Sequence, residues 1–481
     1  MSTKLGKESK MVKHFRTILV LFILLISGHA FSQELGNAIN SSEFPSDDKV
    51  LPIQKSTSDF VITGSIEKNV DMTLENCIKI ALGNNPQITM AINDTLAADA
   101  RIKQVWSNYF PTLSWQTGYT RIRQLQLSDA IGETLEYNYY ILGQISLQQM
   151  LYDFGVTQNQ ATVRRLDYEV YKKSFEATVN DVIYQTKDAY YNLLYAYENK
   201  RVAQDTVDKY QLFYNQAKAF YKSGMNPKVD VTIAETNLSN AKLTLIQADN
   251  SVNLAIAKLN NIMGVPYIEK YNVPERLQFK PISLTFEQAI DIARDSRPEL
   301  KMAELKVEEA HQTVNLAKKS FLPTISLEGQ YQRGGRHINS NYGFNAGAYL
   351  TFPAVNGMLI RNEIKEAKYL YDKELANAKN TQNAIYLEIQ NAYLTLEEKR
   401  NQIPVAILQV KQAKENYELS YGRYRVGEGS PTELKDSENL YEQAQLNYYT
   451  ALYEYNSAKA QLEKSIGKNI CDSEEVIDLE K

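Results

Sequence analysis

The side chains that could act as nucleophiles, proton carriers or metal ligands are scarce in this sequence of 481 residues. It contains four histidines and two cysteines, Cys77 and Cys471. Two of the histidines lie within the first 32 residues, which leaves His311 and His337. Neither stands in a Cys–His, Ser–His–Asp or metal-ligand spacing. The sequence therefore predicts neither an enzyme nor a metal or cofactor site.

The charged residues point away from several other classes of protein. Acidic and basic side chains alternate along helical segments, which is the usual pattern of solvated helix faces. The formal charge of −4 and the pI of about 5.8 argue against a nucleic acid as partner. Two cysteines cannot build a disulfide scaffold. The 33 tyrosines are unusual, and a function has to explain them.

Residues 1–32 have the pattern of a secretory signal peptide. Basic residues from Lys4 to Arg16 precede the apolar run Ile18–Ile26, and small residues follow at Ala30 and Ser32. The run is about half of the ~20 residues that a helix needs to span a bilayer. We therefore expect an exported chain without a transmembrane helix. Residues 33–71, rich in Ser, Asp and Asn, are expected to be a flexible extension.

An internal duplication is the strongest feature of the sequence. Met72–Ala81 recurs as Leu284–Ala293, and at the same offset Pro111–Arg121 recurs as Pro323–Arg333. A second offset relates Gly224 to Gly427 and Gly264 to Gly467. Such repeats are sought before secondary structure is assigned. They divide the chain into a first repeat, a linker, a second repeat and a C-terminal tail, at 72–264, 265–283, 284–467 and 468–481.

Each repeat has the same predicted order of elements: a helix, two strands, a very long helix, a turn and another helix. The first helices are expected at about 73–107 and 285–320, and the strands at about 111–150 and 323–352. The long helices, near 153–222 and 357–424, have apolar residues four and three apart, which is coiled-coil spacing. About 70 helical residues would reach roughly 100 Å. Pro404 is expected to kink or interrupt the second long helix.

The predicted strands, of about 9–12 residues each, alternate apolar with polar side chains. An ordinary half-buried sheet gives this pattern, and so does an outer-membrane barrel with aromatic residues at its rims. In a barrel, the apolar set would face lipid: Leu113, Trp115, Ile141, Ile145, Ile325, Leu327, Phe344 and Leu350.

Four strands cannot close around a lumen, since membrane barrels use at least eight. Three chains would supply twelve strands and pair every edge. The predicted fold class is therefore mainly α with transmembrane β. In it, a tandem-duplicated protomer of long coiled-coil helices and four strands trimerises into a 12-stranded β-barrel on an α-helical barrel.

The segment 284–327, its twin at 72–115 and the turn Tyr424–Gly427 resemble the TolC family of outer-membrane efflux proteins. The resemblance covers about residues 72–467 and both repeats carry it. It implies a homotrimer with its barrel in outer-membrane lipid and a helical tunnel across the periplasm, surrounded midway by a belt to which the linker and the tail contribute.

The resemblance also implies a function. The protein would be the passive, porin-like exit duct of a tripartite efflux or type I secretion system. An inner-membrane pump of RND, ABC or MFS type and a periplasmic adaptor would supply energy and cargo. The helical turns at Gly224, Asp230, Gly427 and Gly429 would contact the adaptor, although a helix-capping glycine without a contact role fits the glycines equally well.

The periplasmic constriction is assigned by the same resemblance. Tyr424 matches a constriction tyrosine, and the family's acidic ring falls on Glu433 and Asp436, three apart and hence on one helical face. Six carboxylates in a trimer would favour cations at a narrow mouth. One departure matters: the family's constriction arginine aligns with Gly429, so a salt-bridge lock is not expected at that position.

Two other classes of protein share part of this pattern. A periplasmic adaptor also combines coiled-coil hairpins with β structure, but it would need compact β domains beside a single hairpin. An exported coiled-coil structural protein would have the rods without the amphipathic strands. The cargo cannot be read from the sequence, because the pump selects it.

Overall fold

The computed structural model describes residues 72–128, 131–225, 227–265, 273–335, 341–353 and 358–468. The predicted signal peptide and N-terminal extension lie outside the described residues. So do the first part of the linker and the tail beyond Lys468.

The described helices and strands repeat the same order twice. The first repeat contains α1 and α2, then β1 and β2, then α3 and α4; the second contains α5 and α6, then β3 and β4, then α7 and α8. The helices are α1 Leu74–Asn84, α2 Pro86–Trp106, α3 Val156–Lys222, α4 Lys228–Met263, α5 Phe286–Ser296, α6 Pro298–Lys319, α7 Leu359–Arg425 and α8 Pro431–Ile466. The strands are β1 Thr112–Ser128, β2 Ile131–Tyr152, β3 Thr324–Gly335 and β4 Asn341–Thr351. The predicted fold of mainly helical tandem repeats with four strands is confirmed.

The opening helix of each repeat is broken in two, whereas the sequence predicted one helix from 73 to 107 and one from 285 to 320. Asn85 and Arg297 have extended backbones, with ψ of 126° and 114°. Each stands before a proline, whose ring disfavours the helical conformation of the preceding residue. Pro86 and Pro298 then serve as the first residues of α2 and α6. The two prolines were the available signal for both breaks.

Buried contacts fix these breaks against the rest of the protein. The Asn85 amide caps α2 by accepting from the Gln87 N–H at 2.7 Å, and it donates to the Ile262 carbonyl at 2.8 Å. The Arg297 guanidinium donates to the Lys464 carbonyl at 2.9 Å and lies 2.5 Å from Glu388. The breaks therefore tie the opening helices to the ends of α4 and α8.

Long helical hairpins form most of the described chain. α3 and α7 have 67 residues each, and α4 and α8 have 36 each. At 1.5 Å per residue the longer helices reach about 100 Å. α3 packs against α4, α7 against α8, and α8 against α3, which joins the two repeats. Each helix in the described part of the chain is too short or too polar to cross a membrane.

Pro404 does not interrupt the second long helix, so of the two predicted effects, a kink or an interruption, the interruption is wrong. It lies inside the continuous helix Leu359–Arg425. Its position is exposed, so the carbonyl of Arg400, which a proline leaves without an N–H partner, can be hydrated. Exposure to water thus reduces the free-energy cost of a proline at this position of the helix.

The four strands form one antiparallel sheet in the order β1-β2-β3-β4. β2 of the first repeat pairs with β3 of the second, so one chain contributes a single sheet with β1 and β4 at its sides. β1 and β2 have 17 and 22 residues, longer than the 9–12 that were predicted, while β3 and β4 have 12 and 11. The alternation predicted the strands but underestimated the length of the first hairpin.

The main hydrophobic core lies where the opening helices and the described part of the linker meet the long hairpins. Leu277, Phe279 and Ile282 of the linker are buried in it. Tyr455 of α8 donates to the Lys280 carbonyl at 2.9 Å. Cys77 is completely buried, and burial raises the pKa of its thiol to about 12. This cysteine is a packed residue and not a reactive thiol.

Candidate functional site

The tips of the two helical hairpins carry the residues assigned to the constriction and to the adaptor contact. Gly224 and Gly427 have positive φ of 74° and 82° directly after α3 and α7. The Met225 N–H bonds to the Phe220 carbonyl at 3.0 Å, and the Glu428 N–H bonds to the Arg423 carbonyl at 3.0 Å. Both turns are thus the glycine-dependent ending of a helix. Nothing lies within 4 Å of a side chain built at either glycine, so conformation and not crowding requires them.

Tyr424 is 4% exposed within one chain and lies between the two hairpins. Its ring packs edge-on against Phe220, 6.2 Å between centroids, in a cluster with Leu238 and Leu434. Burial and then the charge of Asp230 raise the pKa of the Tyr424 hydroxyl. The charge of Asp230, in the first hairpin, thus acts on Tyr424 of the second, although the sequence assigned them separate roles.

Glu433 does not present a free carboxylate. The Arg423 guanidinium lies 2.9 Å from its Oε1. Its backbone N–H donates to Ser430, which caps α8, at 3.1 Å. Asp436, one turn further along α8, is exposed. The two acidic residues occupy neighbouring positions on α8, as the spacing predicted, but their electrostatic surroundings differ.

Gly429 closes the second turn tightly. A Cβ atom there would lie 2.8 Å from the Tyr424 nitrogen, closer than real side chains approach. The Gly429 N–H donates to the Arg423 carbonyl at 3.1 Å. This backbone therefore has no room for a side chain at position 429.

An aromatic seam extends from these tips along the contact between the hairpins. We define it as Lys209, Phe213 and Phe220 of α3 against Tyr417, Tyr421 and Tyr424 of α7 and Tyr441 of α8. Phe213 lies 5.8 Å from Tyr421, and Tyr417 stacks on Tyr441 at 5.8 Å between ring centroids. Some of the chain's tyrosines thus pack between helices, in addition to those on the strands.

Lys209 and Glu438 form a buried ion pair within this seam. The Lys209 ammonium lies 3.0 Å from Glu438 Oε1 and within 5.0 Å of the ring centres of Tyr417 and Tyr441. The Glu438 side chain is completely buried and its second oxygen has no hydrogen-bond partner. Burial raises the pKa of Glu438, against the opposing effect of Lys209.

Sequence reasoning missed Arg423, Lys209 and Glu438. No local signal pointed to Lys209 and Glu438, because 229 positions separate them. For Arg423 there was none, since ten positions separate it from Glu433. In the described residues, no three His, Cys, Asp or Glu side chains come together as a metal site would need.

The sheet places seven of the eight apolar strand residues on one face. Leu113 and Trp115 pair with Leu147 and Ile145, and Ile145 pairs in turn with Tyr331. Tyr331 pairs with Phe344, and regular alternation along β3 and β4 adds the rest of the set. The residues on this face are Leu113, Trp115, Ile145, Ile325, Leu327, Phe344 and Leu350.

Ile141 does not share this face, which corrects the prediction for that residue. The register of β2 shifts between Ile141 and Gly143, so that Ile141 lies opposite Gly118 and Gly334. These positions belong to the face of Gln144 and Gln332. One extra residue in a strand reverses the side of every residue beyond it.

Comparison with known proteins gives one family and related structures. The family model described as outer membrane efflux protein matches residues 77–265 and 289–468. Protein CyaE of Bordetella pertussis is 22% identical over 375 residues, which cover 76% of this chain and 77% of that protein. Outer membrane protein TolC of Vibrio cholerae is 21% identical over 400 residues, 80% of this chain and 88% of its own. The crystal structure of the Campylobacter jejuni CmeC outer membrane channel superposes with a TM-score of 0.69 at 20% identity, covering 87% of this chain and 92% of that one.

Proposed function

This chain belongs to the outer membrane efflux protein family, and from that membership we propose that it is the exit duct of a tripartite efflux or type I secretion system. As a member of this family it is an outer-membrane transport channel and not an enzyme. The proposed duct is passive: an inner-membrane pump of RND, ABC or MFS type supplies the energy, and a periplasmic adaptor joins the two.

The observation that carries the proposal is the apolar face of the four-stranded sheet. Trp115, Leu113, Phe344 and Leu350 are 67–75% exposed on that face in a single chain. A contiguous exposed apolar surface of this kind needs lipid or a partner to cover it. The opposite face carries Gln, Ser and Thr, as the wall of an aqueous lumen does.

A homotrimer is the assembly that would pair both outer strands of this sheet. β1 and β4 are its outer strands, and three copies side by side would close twelve strands into one barrel. Helices α3, α4, α7 and α8 of each chain would then provide twelve helices for a tunnel in the periplasm. The linker and the tail would contribute to a belt around its middle.

The hairpin tips form the proposed periplasmic gate. Tyr424 packs between the two hairpins of one chain, so an opening motion of one hairpin has to break its contacts with Phe220. Glu433 and Asp436 lie just beyond it at the start of α8. The turns at Gly224, Asp230, Gly427 and Gly429 are the proposed contacts for the adaptor.

Membrane fractionation with an unheated denaturing gel tests this function. The full chain is expected in the outer membrane and as a trimer band that heating converts to monomer. A matched variant, Leu113→Asp with Trp115→Asp, places charges on the apolar face and is expected to lower insertion, since a charge on the lipid-facing side of a membrane strand is destabilising. A soluble periplasmic monomer would instead indicate an adaptor or an exported coiled-coil protein.

A further inference from the structure

The two acidic positions of the proposed gate differ in one respect: Glu433 has a basic partner from its own chain. Arg423, in the last turn of α7, reaches across the turn to Glu433, in the first turn of α8. The guanidinium NH1 lies 2.9 Å from the carboxylate Oε1. Both side chains are half exposed, at 58% and 39%, so the pair stands at a surface and not in a core.

The backbone of the turn holds the two residues opposite each other. The Arg423 carbonyl accepts from the N–H groups of Glu428 and Gly429, at 3.0 and 3.1 Å. On the other side, the Ser430 hydroxyl fixes the Glu433 N–H. Gly429 brings the chain back against Tyr424 with no space for a side chain. The close approach of Arg423 to Glu433 therefore follows from the shape of the turn.

The first repeat does not contain this pair. The offset that relates Gly224 to Gly427 aligns Phe220 with Arg423 and Asp230 with Glu433. The backbone of the first turn is closed in the same way, through the Phe220 carbonyl. Phe220, however, uses its ring to pack against Tyr424. The duplication thus preserved the turn and placed Arg423 in the second repeat where the first repeat has an aromatic ring.

We propose that Arg423 sets the ion selectivity of the gate by cancelling the charge of Glu433, so that the attraction of cations rests on Asp436. This inference rests on the proposed function, in which the tips line the pore mouth. A trimer then presents three exposed carboxylates at the mouth and three neutral ion pairs, instead of six carboxylates.

The physical reason is the distance between the charges. Opposite charges 2.9 Å apart act on a passing ion as a dipole, whose field falls off faster with distance than the field of a single carboxylate. An exposed pair of this kind contributes little to folding, so both residues can be changed without loss of the fold. The pair therefore affects the electric field at the mouth and leaves the stability of the turn to Gly427, Gly429 and Ser430.

The test is the potassium-to-chloride permeability ratio of the purified full-length trimer in a planar bilayer, from reversal potentials in a KCl gradient. Arg423→Gln uncovers Glu433 and is expected to raise the ratio roughly two- to fivefold. Glu433→Gln uncovers the guanidinium and is expected to lower it. The double variant with both changes removes one charge of each sign and is expected to return to the wild-type ratio.

Arg425→Gln is the matched control, because Arg425 is exposed in the same last turn and its change removes the same charge. A ratio as high as that of Arg423→Gln would mean that net charge, and not the pair, sets selectivity, and would overturn the inference. So would a double variant that differs from wild type.

Asp436→Asn separates this inference from the proposed function. If it lowers the ratio while Arg423→Gln behaves as wild type, the gate assignment stands and the role of Arg423 is wrong. If Asp436→Asn, Glu433→Gln and Arg423→Gln all leave the ratio unchanged, the tips do not line the pore. An unheated gel of each variant verifies that the trimer has formed.

Discussion

Lys209 and Glu438, 229 positions apart in the chain, form a 3.0 Å ion pair that joins the two repeats. The carboxylate is completely buried, one of its oxygens has no hydrogen-bond partner, and the ammonium lies over Tyr417 and Tyr441. A buried charge of this kind is tolerated only while its partner is present. The buried carboxylate of Glu438 therefore depends on the ammonium group of Lys209.

Lys209→Met is expected to destabilise the protein by about 3 kcal/mol, because it leaves Glu438 charged, buried and unpaired. The midpoint of thermal unfolding in detergent measures the effect. Lys218→Met is the control, since Lys218 lies over Tyr214 at an exposed position of the same helix. The double variant Lys209→Met with Glu438→Leu should recover much of the loss. Equal midpoints for the two lysine variants would contradict the prediction.

The seam should become less stable as the pH rises. Glu442 lies one turn beyond Glu438 on α8, and burial, followed by the charge of Glu438, raises its pKa. A carboxyl whose pKa is higher in the folded than in the unfolded protein stabilises the fold most below the unfolded value, about 4.3. That contribution is lost as the pH rises through the folded-state pKa.

Glu442→Gln is therefore expected to raise the unfolding midpoint at pH 8 and to match wild type at pH 4. The exposed Glu415→Gln on α7 should follow the wild-type curve at both values. Both variants keep the other charged or titratable groups around the seam, so these groups contribute equally to the two curves. They are Arg201, Asp205, Lys209, Tyr210, Tyr417, Glu418, Asp436, Glu438 and Tyr441. A Glu442→Gln protein that is less stable than wild type at pH 8 would show that this carboxylate is needed in its charged form.

Tyr424→Ala is expected to increase the single-channel conductance, because it removes the ring that packs against Phe220 between the hairpins. Tyr424→Phe keeps the ring and loses the hydroxyl near Asp230, so it separates packing from polar effects. Tyr221→Ala, at an exposed tyrosine of the other tip, is the control. If Tyr424→Ala conducts like wild type, Tyr424 does not restrict the pore.

Gly429→Ala is expected to distort the second turn, since its Cβ would lie 2.8 Å from the Tyr424 nitrogen. The change should lower the unfolding midpoint and shift the conductance together. Gly422→Ala, in α7 with open space around it, is the matched variant and should be neutral or stabilising by up to about 1 kcal/mol. A neutral Gly429→Ala would mean that the turn adjusts easily.

Sequence periodicity predicted the class of each element well. Apolar residues three and four apart predicted the long helices, and alternation predicted the four strands, because both periods follow from local backbone geometry. Pro86 and Pro298 mark breaks in the opening helices that the sequence analysis did not predict. Pro404, which was expected to kink or interrupt its helix, does not interrupt it. Asn85 and Arg297, which precede the first two prolines, have extended backbones. The carbonyl of Arg400, four residues before Pro404, is at an exposed position and can be hydrated.

What the sequence alone determined is the duplication, the order of elements and the apolar face of the strands. Tertiary structure decided on which side of the sheet Ile141 lies, because a one-residue bulge reverses the alternation and leaves no trace in composition. It also decided the partners of Arg423, Lys209 and Glu438. These pairs depend on how a turn folds back and how two hairpins pack, and distances across such contacts are not encoded in any local period.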